Sequence, residues 1–528
     1  MTCFAVAIGL VSVAGRLLGW PGARLLLRQR QIPDLTPTVA ERIAEGRKRR
    51  LDARSYSLTT EYQDETKQKA FYESVDQDAV CALATRIRGD GVPCRVVGKF
   101  AGGFNFCFFV QFDDAPATGQ AGSEAGSEAG SGGAEKAAGT QWVVRLPIGH
   151  AVDRPWDKVV SEVATMRYLA RKTRIPIARV HADKPQHEQI YVVLDFVPGT
   201  HIDKKKLVAA DPEQRASFYM QLVDILAELR PLEFSQIGSY QPVPGGSDDT
   251  SVTIRPLLSM SDNVICLPPP PIWTSASVAD FMEHTYAAVL DFFYAPVGNM
   301  KLENVRRELF ALEALKPFFM DAVTSNNSTS GAQVPCVLNH FDLRSTNIIV
   351  DEQFRIQGVI DWEFTGTVPL PLFVPPSWVI GHDPKMNDSS IHAEFRQALH
   401  IRARERPVCA QLEREWYGDG DGASDISAST NLRFCIAHIM RKPTHATEVF
   451  EKFLRDTPAI PEEPEERDAR LAAYFESHPE LEAEAQRRIE QSREYTAYLA
   501  ENGIFETFMD RFYALKKQAE ARLGRPLY

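Results

Sequence analysis

The window from His340 to Glu363 constrains this chain more than any other stretch. It reads HFDLRSTNIIVDEQFRIQGVIDWE. A short apolar lead, Val337-Leu338, precedes a loop that holds His340, Asp342 and Asn347. Ile348-Ile349-Val350 reads as a strand, Asp351-Glu352-Gln353 as a turn, and Ile356 to Ile360 as the return strand with Asp361 at its end. A hairpin of this kind folds Asp361 back toward Asn347 and Asp342, so three oxygen-bearing side chains converge. Phosphoryl transfer from ATP needs such a cluster. Magnesium takes oxygen ligands and keeps several waters, so one carboxylate, one amide and the phosphates are enough to hold it. A carboxylate not committed to metal orients an attacking hydroxyl and accepts its proton. Asp342 is therefore the expected base, and Asn347 and Asp361 the expected metal ligands. His340 is expected to support the loop by hydrogen bonds. A lone H-x-D arises easily by chance; the ordered combination of loop, hairpin and apolar strand ending in Asp does not.

This window resembles the catalytic motif of the aminoglycoside phosphotransferase family, within the protein-kinase-like fold that also includes choline kinases. His340, Asp342 and Asn347 match that family's catalytic loop, and Arg344 in the same loop is grouped with His340 and Asp342 as catalytic. Asp361, in Ile360-Asp361-Trp362-Glu363, matches the metal-binding Asp found where protein kinases carry D-F-G. Phe341 departs from the small residue usual after the loop His. The length of the chain, IDWE and the Pro-rich flanks resemble the large fungal branch of the family. The resemblance spans about residues 90 to 400.

The resemblance implies roles for upstream residues. Gly102-Gly103 lies between two strand-like runs. It either brings backbone amides onto ATP phosphates or forms a plain hairpin turn. Arg145, in Trp142-Val143-Val144-Arg145, stands where a kinase strand carries its phosphate-binding Lys. Arg grips phosphate bidentately but is not interchangeable with Lys, and a structural Arg is the other reading. Glu162 either pairs with Arg145, as the kinase helix Glu does, or is a solvated helix residue. Asp195-Phe196-Val197 resembles the hinge whose backbone meets adenine. Pro369 to Trp378, PLPLFVPPSW, is expected to be a rigid packed loop; Phe373 and Trp378 walling a substrate pocket is the alternative.

The expected fold is α+β and two-lobed: a small antiparallel-sheet N-lobe and a mainly helical C-lobe, with the ligand cleft between them. The expected organisation is a leader over 1–34, a helical extension over 35–90, the N-lobe over 91–197, the C-lobe over 198–400, and a helical C-terminal extension over 401–528. A low-complexity insert at 115–139, including GSEAGSEAGSGG, interrupts the N-lobe as a surface loop. Phe505, Phe508, Met509 and Phe512 recur at helical spacing, and core packing is their expected use.

The first thirty residues hold no acid, and Arg16, Arg24, Arg28 and Arg30 supply their charge. A mitochondrial transit peptide, a secretory signal and a frayed terminus compete there, secretion least favoured because no charge precedes the apolar run. A cytoplasmic or mitochondrial location follows. Asn326 and Asn327 then read as chance sequons. The run from Thr2 to Gly15 is too short to span a bilayer, so stable membrane insertion is not expected.

Composition removes other classes. Lys plus Arg is 59 against 70 Asp plus Glu, a net charge of −11, which argues against broad nucleic-acid binding. Eight cysteines without a C-x-x-C pair disfavour a disulfide scaffold or a thiolate zinc site. The leading expectation is an ATP- and Mg2+-dependent phosphotransferase acting on a hydroxyl of a small-molecule acceptor. A catalytically impaired kinase-like nucleotide-binding or scaffold protein is the main rival, favoured by Arg145 in the Lys position. A protein kinase lacks its D-F-G and A-P-E here. A metal hydrolase lacks a second His at ligand spacing from His340 and Asp342.

Overall fold

The computed structural model describes residues 60–114, 139–183, 190–243, 252–264, 270–274, 276–324, 334–385, 389–418, 426–455 and 464–523. All of them belong to one compact unit, Val39–Tyr528. The leader, residues 115–138 of the insert and both sequons lie outside the described residues.

Two helices come first, α1 (Glu61–Ser74) and α2 (Gln77–Arg88). Thr60 starts α1 with a capping box: its hydroxyl accepts from the Gln63 N–H, and its own N–H donates back to Gln63 Oε1. Asp76 caps α2, and Gly89 ends it at φ 82°, a left-handed position that glycine adopts without strain. Five antiparallel strands follow: β1 (Cys94–Ala101), β2 (Asn105–Phe112), β3 (Gln141–Pro147), β4 (Val180–Ala182) and β5 (Val192–Asp195), in the order β1-β2-β3-β5-β4. Alternation sorts their side chains. Phe106, Phe108, Val110 and Phe112 of β2, with Trp142, Val144 and Leu146 of β3, pack against Val80 and Ala84 of α2. Helix α3 (Pro155–Lys172) crosses between β3 and β4, and its Val159, Val163, Met166 and Leu169 join the core of the second lobe. Thus α3 and β5 tie the two lobes together.

The second lobe is built on α4 (Pro212–Leu229), α5 (Val278–Phe293), α6 (Leu302–Thr324), α7 (Ser389–Glu405), α8 (Pro407–Tyr417) and α9 (Ala428–Arg441). Four short strands sit at its top: β6 (Cys336–Asn339), β7 (Ile348–Val350), β8 (Ile356–Val359) and β9 (Gly366–Pro369). β7 and β8 form the expected hairpin, with Ile348 opposite Val359 and Ile349 opposite Gly358. Asp351 closes its turn by accepting from the Gln353 and Arg355 N–H groups. Thr200–His201, leaving the hinge, adds a third strand to β7. β6 pairs with β9, so both ends of the catalytic window are anchored by sheet.

Two expectations are corrected here. The boundary at residue 400 falls inside α7, and Cys409, Leu412, Trp416, Phe434 and Ile436 belong to the same core as α4. The lobe therefore continues through α9. Beyond it, α10 (Pro464–Ser477), α11 (Pro479–Glu501) and α12 (Phe508–Leu523) follow, and Phe475, Ala485 and Ile489 pack on Val305 and Leu309 of α6. The α12 face does not pack as expected: Phe508 is 54% exposed and Phe512 51%. Helical spacing places these side chains on one face but says nothing about what lies opposite. Phe505 does find a partner, the Tyr62 ring at 5.5 Å. Among the described residues, no helix is long and apolar enough to cross a membrane.

Candidate active site

The loop between β6 and β7 is held from several sides. Trp378 is buried and donates from its indole N–H to the Leu343 carbonyl at 3.1 Å. Pro369 to Trp378 thus acts as packing beneath the loop, with Phe373 buried in the same core. His340 is buried as well. Its Nδ1 accepts from the Asp342 N–H at 3.2 Å, so its Nε2–H donates to the Ile360 carbonyl at 3.0 Å. Burial holds the imidazole below its ordinary titration range, and the neutral ring is the form both bonds require. It clamps the loop to the residue before Asp361, and the Ile360 N–H returns to the Asn347 carbonyl at 3.0 Å.

Asp342 sits at the centre of this loop. Asn347 Nδ2 donates to the Asp342 carbonyl at 2.9 Å and to its Oδ2 at 3.0 Å. Arg344 Nε lies 3.0 Å from Oδ2. Arg441, the last residue of α9, donates to Oδ1 at 3.2 Å. Asn347 spends its amide N–H on Asp342, which leaves Oδ1 as its acceptor atom.

Asp361 takes a left-handed backbone, φ 65°, and Phe364 another at 56°. Such positions are uncommon outside Gly and cluster at functional turns. Asp361 Oδ1 accepts from Arg145 Nη2 at 2.8 Å. The same guanidinium pairs with Glu162, which is 2% exposed, so Glu162 is not a solvated helix residue. Arg145 lies 3.6 Å from Glu363 as well, and these acids raise its affinity for its proton despite full burial. Cys107, opposite Arg145 on β2, is half-buried, and desolvation pushes its thiol up to about 11.

A second buried cation went unnoticed in the sequence. Lys158, in the first turn of α3, is 1% exposed and pairs with Glu363. It also donates to Asn105 Oδ1 at 2.9 Å, and Asn105 Nδ2 donates to Glu363 at 2.7 Å. Two cations, Arg145 and Lys158, therefore face three carboxylates, Glu162, Asp361 and Glu363. The signals were thin: Asn105 follows the Gly pair, Glu363 ends IDWE, and nothing in the spacing marks Lys158. Arg441 carries no local signal at all, since only folding brings α9 to Asp342.

The remaining expected residues fall as follows. Gly102 donates to the Asn105 carbonyl at 2.9 Å and closes the β1–β2 hairpin. A side chain at Gly103 would meet nothing within 4 Å, so internal packing does not explain that glycine. Asp195 bonds His181 at 2.6 Å, which stacks on Trp142, and so has a structural partner. Val197 lies against β8: a Cβ at Gly358 would come within 2.8 Å of it. The hinge thus rests on the strand that leads to Asp361.

Residues 133–370 match the model of the phosphotransferase enzyme family. The chain is 26% identical over 283 residues to the clavilactone A biosynthesis cluster protein Y of the fungus Ampulloclitocybe clavipes, covering 50% of this chain and 66% of that protein. Among solved structures, the ADP-bound aminoglycoside phosphotransferase APH(2'')-Ib is 13% identical, with 71% of this chain and 99% of that one covered and a TM-score of 0.35. A putative fructosamine-3-kinase from Haemophilus somnus is 9% identical, with 71% and 91% covered and a TM-score of 0.37.

Proposed function

We propose that the protein transfers the γ-phosphoryl group of ATP to a hydroxyl of a small molecule. One observation carries this reading: Asp342, Asn347 and Asp361 are brought together by a sheet-anchored hairpin, and Asp361 faces a buried Arg145–Glu162 pair. The donor set suits magnesium, since a carboxylate and an amide oxygen are hard ligands and the cation-to-acid balance beside them is negative. Bound there, magnesium would neutralise charge on the phosphates. Arg145 contributes a guanidinium fork suited to phosphate oxygens. The open tip at Gly103 leaves room for a close approach of the phosphates. The backbone after Asp195 is available to adenine. The acceptor oxygen attacks the γ-phosphorus while the bond to the bridging oxygen breaks. Asp342 takes the hydroxyl proton, and ADP leaves with the electron pair. His340, neutral and doubly bonded, keeps the loop in place.

The rival reading, a nucleotide-binding protein without turnover, draws on Arg344 and Arg441, which occupy both carboxylate oxygens of Asp342. ADP release and metal-dependent nucleotide binding separate the two. Asp342→Asn should leave nucleotide binding near wild type and lower turnover about 100- to 10,000-fold, the usual contribution of a general base. Asp361→Asn should abolish the magnesium requirement of binding. Turnover unchanged in Asp342→Asn would sink the assignment of Asp342 as the base, and nucleotide binding without turnover on any acceptor would sink the enzyme reading.

A further inference from the structure

The surroundings of Asp342 say something about the acceptor. Arg441 and Arg344 both contact its carboxylate. Lys442, next in the chain, is exposed, and its ammonium is held below its ordinary value by partial desolvation and then by repulsion from Arg441, Lys385 and Arg344. Lys204 is lowered by burial, with Arg441 adding repulsion and Asp383 opposing it. Its ammonium lies 5.6 Å from the centre of the Trp378 ring. Among the described residues, Asp342 and Asp383 act on these cations, and Glu448 acts on His445 beside them. His438 and His445 add no charge near neutrality, because burial lowers both, His438 to about 3. A chain with a net charge of −11 therefore gathers several cations beside Asp342.

That cluster of cations bears on what can sit there. Asp383, His438 and His445 have the spacing of metal ligands. The cations around them oppose a further cation, so a metal is a poor occupant. They favour an anion for the same reason. Next to them lies a cleft lined by Leu257, Met260, Phe281, Phe341, Met440 and Arg441, with the Asp262–His284 pair in its wall. Phe341 comes from the catalytic loop itself, between His340 and Asp342. It supplies an apolar wall at the position where related motifs carry a small residue. The cleft is thus mainly apolar in its walls, where Asp262 is taken up by His284, and it carries Arg441 where it meets the base.

We propose that the acceptor is an apolar alcohol bearing an anionic group, and that this anion draws Arg441 from Asp342. The proposal rests on the phosphotransferase reading above and narrows its substrate. In the ligand-free arrangement Arg441 occupies Oδ1, the oxygen that would take the hydroxyl proton. An acceptor anion offers the guanidinium an alternative partner. Oδ1 is then free for the hydroxyl, while Arg344 and Asn347 still hold Oδ2 in place. An acceptor without the anion leaves Arg441 on the base, and a cationic acceptor meets repulsion.

Three probes of similar shape test this: 4-(hydroxymethyl)benzoate, 4-(hydroxymethyl)benzamide and 4-(aminomethyl)benzyl alcohol, which share one hydroxyl and differ in charge. Binding to the nucleotide-loaded full-length protein is measured by calorimetry, and ADP release is followed in parallel. The anion should bind at least about tenfold tighter than the neutral alcohol, the cation weakest, and raised ionic strength should shrink the gap. Arg441→Ala should bring the anion and the neutral alcohol to within about threefold, and Arg441→Lys should retain part of the preference. A flat or reversed ranking, a ranking that survives Arg441→Ala, or no binding of the anion overturns the proposal. So does a loss of nucleotide affinity in Arg441→Ala with the ranking intact, since the cations would then serve the triphosphate. Nucleotide binding measured on the same samples keeps the two ideas apart. Its absence in the wild type sinks the phosphotransferase reading, and its presence with a flat ranking sinks only the anionic acceptor.

Discussion

Lys158 and Glu363 form the most enclosed charge pair near the site, with Asn105 bonded to both. Removing one partner leaves a buried charge unmatched, which costs far more than replacing both. Lys158→Met should lower unfolding free energy by about 3–5 kcal/mol. The double variant Lys158→Met/Glu363→Gln should recover much of that loss, although Arg145 still lies beside position 363. Denaturant titration of the three proteins checks the coupling; equal losses in single and double variants would refute it. A buried lysine looks like any other helix lysine in sequence, because burial is decided by what packs over the helix. Arg145 differs: its position on an apolar strand before a helix with Glu162 was readable, and what folding added was its bond to Asp361.

At the scale of elements, the hinge and the β7–β8 hairpin are built to touch. Gly199 has φ 122°, and a Cβ there would lie 2.4 Å from the Val350 carbonyl oxygen. Gly199→Ala therefore meets both backbone strain and a backbone clash. It should cost about 1–3 kcal/mol and weaken nucleotide binding with it, since the hinge would move off β8. A thermal shift assay and a nucleotide titration on that variant measure both effects; an unchanged melting temperature would refute the account. The hairpin itself was legible because a short apolar run followed by the polar turn Asp351-Glu352-Gln353 is a local signal. The fate of α12 was not legible, since an apolar stripe reads the same whether or not anything covers it.

For the whole molecule, buried histidines set a pH dependence. Burial lowers His382 and His438 in the folded state, whereas in the unfolded chain each titrates near about 6.5. Below that pH the unfolded chain binds more protons than the native one, so stability falls as pH drops. The contribution is fully present above about pH 6.5 and is lost at up to about 1.4 kcal/mol per pH unit for each histidine toward the folded value. The melting temperature should drop clearly between pH 7.5 and pH 5.5, and a flat profile would count against neutral burial of these rings.

What the sequence determined by itself was the grouping of His340, Asp342, Asn347 and Asp361 about one loop and hairpin. The order His340, Asp342, Asn347, hairpin, Asp361 works through local strand pairing and short loops, so residue order alone carries it. The sheet-and-helix character of the first lobe was equally local. Only the tertiary structure decided that α9 belongs to the catalytic lobe and places Arg441 on Asp342. It also decided that Lys158 and Asn105 enclose Glu363, and that the α12 face is left exposed. Each of these depends on contacts between segments far apart in the chain. No periodicity or spacing encodes such a contact until burial and charge pairing select one packing among many.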